Sequence, residues 1–172
     1  MSRPALGRTY ELSCPKTGRV SGISIIHTEG SEDCMSYTMD QLKIGQKARF
    51  SKTISECDVY LFAGVTGDTN PAHLNTEYAK DTVFKKRIAH GMLSASLIST
   101  VLGTELPGKG TIYLRQEVTF LRPVHFEDTI TAVVEVVGKD ERKNRVTLKT
   151  TCLNQEGVVV VDGEATVIPP GS

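Results

Sequence analysis

The sequence predicts an α+β domain in which one long apolar helix packs inside an antiparallel β-sheet. Two observations point there. Residues 91–102, within HGMLSASLISTVLG, are apolar or small on nearly every side, as a buried helix requires. From residue 111 onward, four segments alternate apolar with polar residues and are joined by polar, turn-forming connections, as consecutive antiparallel strands are. Such a sheet needs an apolar partner for its inner face, and this helix is the obvious candidate.

Residues 1–38 stand apart as an N-terminal extension, either mobile or packed on the surface. They mix Pro, Gly and charge without a sustained period, with one short strand candidate at Ile23–Ile26. Met35 and Met39 are alternative starts. The domain is assigned to residues 39–172, and its regular patterning begins at Leu42. KARFSKTIS alternates, with Ala48, Phe50 and Ile54 on one side, and reads as a strand. Ser55 followed by Asp58 forms a capping-box pattern opening a helix with a Val59, Phe62, Ala63 face. That helix should end between Gly64 and Gly67, leaving Asp68 in the loop after it. Thr76 is placed to cap a short helix, EYAKDT.

The long helix follows, its surface covered by Met92, Leu93, Leu97, Ile98, Val101 and Leu102, with Gly103 placed to stop it. The strands come next. TIYLRQEVTFL aligns Ile112, Leu114, Val118 and Phe120, and TITAVVEVVG aligns Ile130, Ala132, Val134 and Val136. RVTLKTTCL aligns Val146, Leu148 and Cys152, and GVVVVDGEATVI aligns Val159, Val161, Ala165 and Val167. GKDERKN and NQEG read as hairpin connections.

Composition narrows the function classes. The 172 residues are 39% hydrophobic and 23% charged, which suits one domain with a substantial core. Twenty basic residues balance twenty acidic ones, so nothing electrostatic favours nucleic acid as a partner. No apolar run is long enough to span a bilayer and no charged start leads into a signal segment, so a cytoplasmic location is expected. Cys14, Cys34, Cys57 and Cys152 include no C-x-x-C pair and no zinc-type spacing to histidine, and read as reduced thiols.

Candidate chemistry centres on GVTGDTNPAHLN, Gly64–Asn75, where Asp68 and His73 stand five positions apart on a turn stiffened by Asn70 and Pro71. A carboxylate and an imidazole converging on one water form a general acid/base pair. The competing reading makes Asp68 and Asn70 helix caps and His73 a surface residue. Gly91 opens the buried helix, where a free N–H is suited to an oxygen gaining negative charge; glycine there also serves packing. His90 beside it reads as a packed or hydrogen-bonding residue, and His27 and His125 as structural or solvated. Lys85, Lys86 and Arg87 read either as a solvated basic turn or as a site for a phosphate-bearing substrate or acidic carrier domain. GTELPGKG, Gly103–Gly110, nearly spells a phosphate loop. It lacks the final hydroxyl and lies between a helix and a strand in the wrong order, so it reads as a turn.

With Asp68, His73 and Gly91 in place, FAGVTGDTNPAHLNTEYA, Phe62–Ala79, resembles the hydratase 2 motif of the MaoC-like, (R)-specific enoyl-CoA hydratases. AHGMLSASLISTVLGTELPGKGTIYL and VTFLRPVHFEDTI are similar to the segments that follow it in short bacterial members, and the resemblance runs from Leu42 to Pro169. Ala72 departs from the larger aliphatic residue usual in the motif. The resemblance implies a hotdog fold, usually dimerised through sheet edges. It implies reversible hydration of trans-2-enoyl thioesters to (R)-3-hydroxyacyl thioesters, borne by coenzyme A or an acyl-carrier protein, with no metal or redox cofactor. It makes Asp68 and His73 the catalytic pair and the Gly91 N–H the oxyanion donor. Asn70 would position the water or the Asp, and Ser99 on the central helix would lie near the substrate. A hotdog thioesterase and a non-catalytic acyl-thioester binding module are the alternatives.

Overall fold

A computed structural model describes residues 36–171. The expected strand at Ile23–Ile26, Met35, His27, Cys14 and Cys34 lie outside the described residues. The chain runs β1 (Lys47–Thr53), α1 (Glu56–Thr66), α2 (Pro71–Leu74), α3 (Thr76–Lys80), α4 (Gly91–Thr104), β2 (Ile112–Phe120), β3 (Thr129–Asp140), β4 (Arg145–Leu153) and β5 (Val159–Ile168). The strands form one five-stranded sheet in the order β1-β3-β4-β5-β2, with every pairing antiparallel. α4 lies against β1, β2, β3 and β4, so the sheet wraps the helix in the hotdog arrangement.

The alternation read from the sequence matches the buried face of the sheet best at its centre. Ile130, Ala132, Val134 and Val136 of β3 and Val146, Leu148 and Cys152 of β4 are all fully buried. They meet Leu97, Ile98, Val101 and Leu102 of α4, each at 5% exposure or less. Burying side chains of this size contributes roughly 1.5–3 kcal/mol apiece before entropy is counted.

The edges depart from simple alternation. The β2–β5 register shifts between Tyr113 and Arg115, so Tyr113 opposes buried Val167 and Gln116 opposes buried Ala165. Ile112 and Leu114 therefore do not share one inner face with Val118 and Phe120, and both are exposed. In β5 a shift near Cys152–Leu153 of β4 puts Val160 into the core in place of Val159. A bulge reverses the inside–outside parity beyond it, which a period-two reading does not detect.

Helix ends show similar local differences. Ser55 and Asp58 form the expected capping box, and α1 stops at Gly67, whose φ of 76° suits glycine. α3 is capped by the Asn75 side chain, which accepts from the Tyr78 N–H at 3.0 Å, rather than by Thr76. α4 runs through Gly103 to Thr104, because its C-terminal turn closes on Glu105 N–H to Val101 O. Met92 is 57% exposed, so the first turn of α4 is open on one side. Tyr37, from the end of the extension, donates its N–H to Pro107 O and packs against the core with Met39.

Candidate active site

The loop after α1 presents Asp68. Gly67 turns the chain, and the Asp68 N–H donates to Thr66 Oγ1 at 3.2 Å. Asp68 Oδ1 accepts the Asn70 N–H at 3.2 Å, so Asn70 meets Asp68 through its backbone. The Asn70 side chain accepts from Ala72 N–H at 3.0 Å and caps α2, with Pro71 in the first turn where its missing N–H costs nothing. The expected turn is thus a short helix, and it carries His73 inward to 9% exposure.

The strand-like segment before α4 ties this loop down. His73 Nδ1 lies 2.8 Å from Ile88 O, and since a carbonyl only accepts, Nδ1 carries the proton and Nε2 keeps its lone pair. Ile88 N–H donates to Ala72 O, and Ala89 N–H to Val124 O. His90 is 2% exposed; its Nε2 lies 2.9 Å from Asp68 O and 4.0 Å from Asp68 Oδ2. The His73 and His90 rings pack 3.8 Å apart at 34°. A ligand-type atom from each of Asp68, His73 and His90 lies within 4.8 Å of the others. Two hydrogen bonds of about 2.8 Å meeting at one tetrahedral oxygen span roughly 4.6 Å, which lies within that limit.

These groups open on a cavity of about 600 Å³ whose lining is mostly apolar, including Phe62, Phe84, Ile88, Phe120 and Val161. Gly91 and Met92 at the head of α4 also line it. The Leu93 and Ser94 N–H groups both donate to His90 O, while those of Gly91 and Met92 donate to no carbonyl among the described residues. The sequence-expected triad of Asp68, His73 and Gly91 therefore shares one cavity. The body closest to Gly91 is the Phe120 ring: a Cβ on Gly91 would stand 2.9 Å from Cδ1 and Cε1. Gly91→Ala should push that half-exposed ring into the cavity. The expected result is a roughly tenfold or greater loss of kcat/KM at the same site, with a smaller stability loss, since a side chain rather than backbone must yield. Steady-state kinetics beside a thermal melt would check this.

Ser99 is not brought to this cavity. It lies on the exposed face of α4, five residues and so about 140° around the helix from Ser94, which is buried and lines the cavity. The Ser94 hydroxyl and His90 Nδ1 are both buried with no hydrogen-bond partner among the described residues. Each such atom costs about 1–3 kcal/mol relative to a satisfied one. Arg122 was not singled out from sequence, since a basic residue at a strand exit carries no pattern. It lines the cavity, is exposed, and forms no ion pair among the described residues.

The three basic residues of the cluster differ in their surroundings. Arg87 donates to Glu56 and to Tyr60 and stacks on Phe126 at 4.7 Å. Its hydrogen bond, with that of Tyr60, holds the Glu56 carboxyl below its usual range. Lys85 and Lys86 are exposed and flank the lining residues Phe84 and Ile88 in sequence. His125 is half-buried, with Nδ1 3.3 Å from Arg87 O, which agrees with its structural reading. Cys152 is buried; its Sγ donates to Ser94 O, and burial pushes the thiol up to about 12, so it is no ready nucleophile. The near-phosphate loop at 103–110 is the end of α4 followed by a turn, as expected. Among the described residues, no helix is long and apolar enough to cross a membrane.

Comparison with known proteins adds to this geometry. A family model described as MaoC like domain matches residues 40–157. An (R)-specific enoyl-CoA hydratase from Rhodospirillum rubrum is 54% identical over 140 residues, covering 81% of this chain and 96% of that protein. An unliganded R-hydratase from Pseudomonas aeruginosa superposes with a TM-score of 0.76 at 49% identity, covering 80% of this chain and 88% of that one. A mitochondrial 3-hydroxyacyl-[acyl-carrier-protein] dehydratase from Arabidopsis thaliana is 36% identical over 132 residues, covering 75% of this chain and 78% of that protein.

Proposed function

The chain belongs to the MaoC-like domain family, and from that premise we propose that Asp68, His73 and the Gly91 N–H carry out reversible hydration of trans-2-enoyl thioesters to (R)-3-hydroxyacyl thioesters. The observation that supports this most is the convergence of a carboxylate, an imidazole with a free Nε2 lone pair and an uncommitted helix-start amide on one apolar cavity.

The steps follow from those groups. Asp68 and His73 Nε2 hold one water between them. As the water oxygen bonds to the β-carbon, its O–H bond breaks and the pair takes the proton. The π electrons move toward the thioester, and its oxygen gains charge that the Gly91 N–H stabilises. The proton then passes to the α-carbon as the enolate collapses. Run backward, the same groups dehydrate the (R)-3-hydroxyacyl thioester. The atoms balance with no oxidant or reductant, so the reaction asks for no redox cofactor. Asn70 serves by holding Asp68 with its backbone N–H. Loss of the conjugated absorbance of crotonyl-CoA on adding the protein, without release of free thiol, is the expected result; thiol release from a saturated acyl-CoA would instead indicate a thioesterase.

Arg122 on the cavity, without an ion pair among the described residues, and exposed Lys85 and Lys86, between the lining residues Phe84 and Ile88 in sequence, fit a substrate carried on a phosphate-bearing arm. Both coenzyme A and the prosthetic group of an acyl-carrier protein have that arm. Arg122→Gln should raise KM for crotonyl-CoA roughly threefold to tenfold, with little change in kcat and none in KM for crotonyl-pantetheine, which lacks phosphate. The homodimer expected of the fold would form at the β2 edge, where Ile112 and Leu114 are 56% and 44% exposed. Sedimentation of the purified protein tests that assembly.

A further inference from the structure

We propose that His90 is the positioning residue of the site: its Nε2–H holds the Asp68 peptide while its ring face holds His73. This deepens the hydration reading above and rests on it. His90 occupies the N-cap of α4 yet makes no side-chain capping bond, so its imidazole is committed elsewhere. Its Nε2 faces the Asp68 carbonyl at 2.9 Å, and since that oxygen only accepts, Nε2 carries the proton. Nδ1 is then a bare acceptor, and it is buried with no donor among the described residues.

That last fact separates positioning from packing. A residue needed only to fill this space would serve stability better as a phenylalanine or leucine, which bury no unmatched acceptor. The imidazole is explained by its donor and by its shape together. One ring face packs on His73 with centroids 3.8 Å apart, and Phe62 of α1 lies 5.1 Å away. The other bonds of Asp68, to Thr66 and Asn70, are both within two residues and both longer, at 3.2 Å. His90 is therefore the side-chain contact that ties Asp68, on a half-exposed segment, to the head of α4. That head also carries the Gly91 amide. One side chain thus works with the Ile88 backbone bonds to Ala72 and His73 to set the acid/base pair relative to the oxyanion donor. Misplacement of about 1 Å in such a constellation costs up to about a hundredfold in rate.

The groups can be separated by substitution. His90→Gln places an amide nitrogen close to where Nε2 stands, keeping the donor and losing the ring. His90→Phe keeps the ring and loses the donor. The expected result is a kcat for crotonyl-CoA hydration lowered tenfold to a hundredfold in His90→Phe, with KM changed less than threefold. His90→Gln should recover a large part of that loss at equal or lower melting temperature. A His90→Phe protein with wild-type kcat would overturn the proposal, as would equal losses in both variants that track their melting temperatures. A measurement independent of activity is the nitrogen-15 spectrum of the wild-type imidazoles. His90 should be found as the Nε2–H tautomer with a slowly exchanging proton, and the Nδ1–H tautomer would overturn the proposal even if neither variant folds. Wild-type protein that shows this tautomer but does not hydrate crotonyl-CoA would refute the hydration reading and, with it, the catalytic effect assigned to His90, while leaving the Asp68 contact in place.

Discussion

His73→Ala and Asp68→Ala should each lower kcat for crotonyl-CoA hydration by a factor on the order of 10² to 10⁴, with much smaller effects on folding. The two side chains differ in what else they do, and this makes the test sharper. The Asp68 carboxylate is 52% exposed, accepts from the neighbouring Asn70 N–H and stands 4.0 Å from His90 Nε2, so Asp68→Asn, which keeps the side chain's shape, should leave stability within about 0.5 kcal/mol while removing the negative charge. His73 is buried against His90 and donates to Ile88 O, so its removal leaves that carbonyl without its donor and costs roughly 1–3 kcal/mol. Because the pair acts on one water, the double variant should lose little more than the worse single one. Stopped-assay kinetics on folded protein, confirmed by circular dichroism, would decide the matter. Activity left within threefold of wild type by both single changes would remove these residues from the mechanism.

Gly163→Ala should cost about 3 kcal/mol, the largest stability loss expected from an alanine at any of the described glycines whose surroundings are given. Gly163 of β5 faces Val118 of β2, and a Cβ built there would lie 2.0 Å from Glu117 O and 3.1 Å from Val118 Cα. Both neighbours are backbone, so no rotamer change relieves the clash, and β2 must move away from β5. The consequence reaches the site. β2 ends in Phe120, whose ring packs on Gly91, and the chain then passes through Arg122 and Val124 along the cavity. Activity should fall together with the denaturation midpoint. Gly138→Ala is the control: its Cβ would meet Thr147 Cβ at 3.5 Å, an ordinary contact, and stability should change little. Equal midpoints for Gly163→Ala and wild type would show that the two strands are not so closely apposed.

Much of this protein is legible in its residue order because the signals are local or periodic. The capping box at Ser55 and the turn at Gly67 depend on neighbours three or four positions away. The alternating apolar residues of β3 mark a buried face directly, because a central strand covered on that face has no freedom in register. The apolar wrapping of α4 marks it as the core helix for the same reason. The spacing of Asp68 and His73, with Pro71 between them, likewise limits how that turn closes. The outcome differed in detail, since the expected turn is a short helix capped by Asn70, the capping role that the competing reading gave it.

What the residue order determined was the class of fold, and it marked Asp68, His73 and Gly91 as candidate site groups, because these readings rest on short-range stereochemistry and hydrophobic period. Tertiary structure alone decided which groups meet. It brought His90 against Asp68 and His73 from 22 and 17 positions away. It placed Arg122 on the cavity and Ser99 away from it, and it put bulges in β2 and β5 that reverse the parity of their ends. The physical reason is the same in each case: a contact between distant segments depends on how the whole sheet closes around the helix, and that closure is a sum over the core rather than a property of any short stretch.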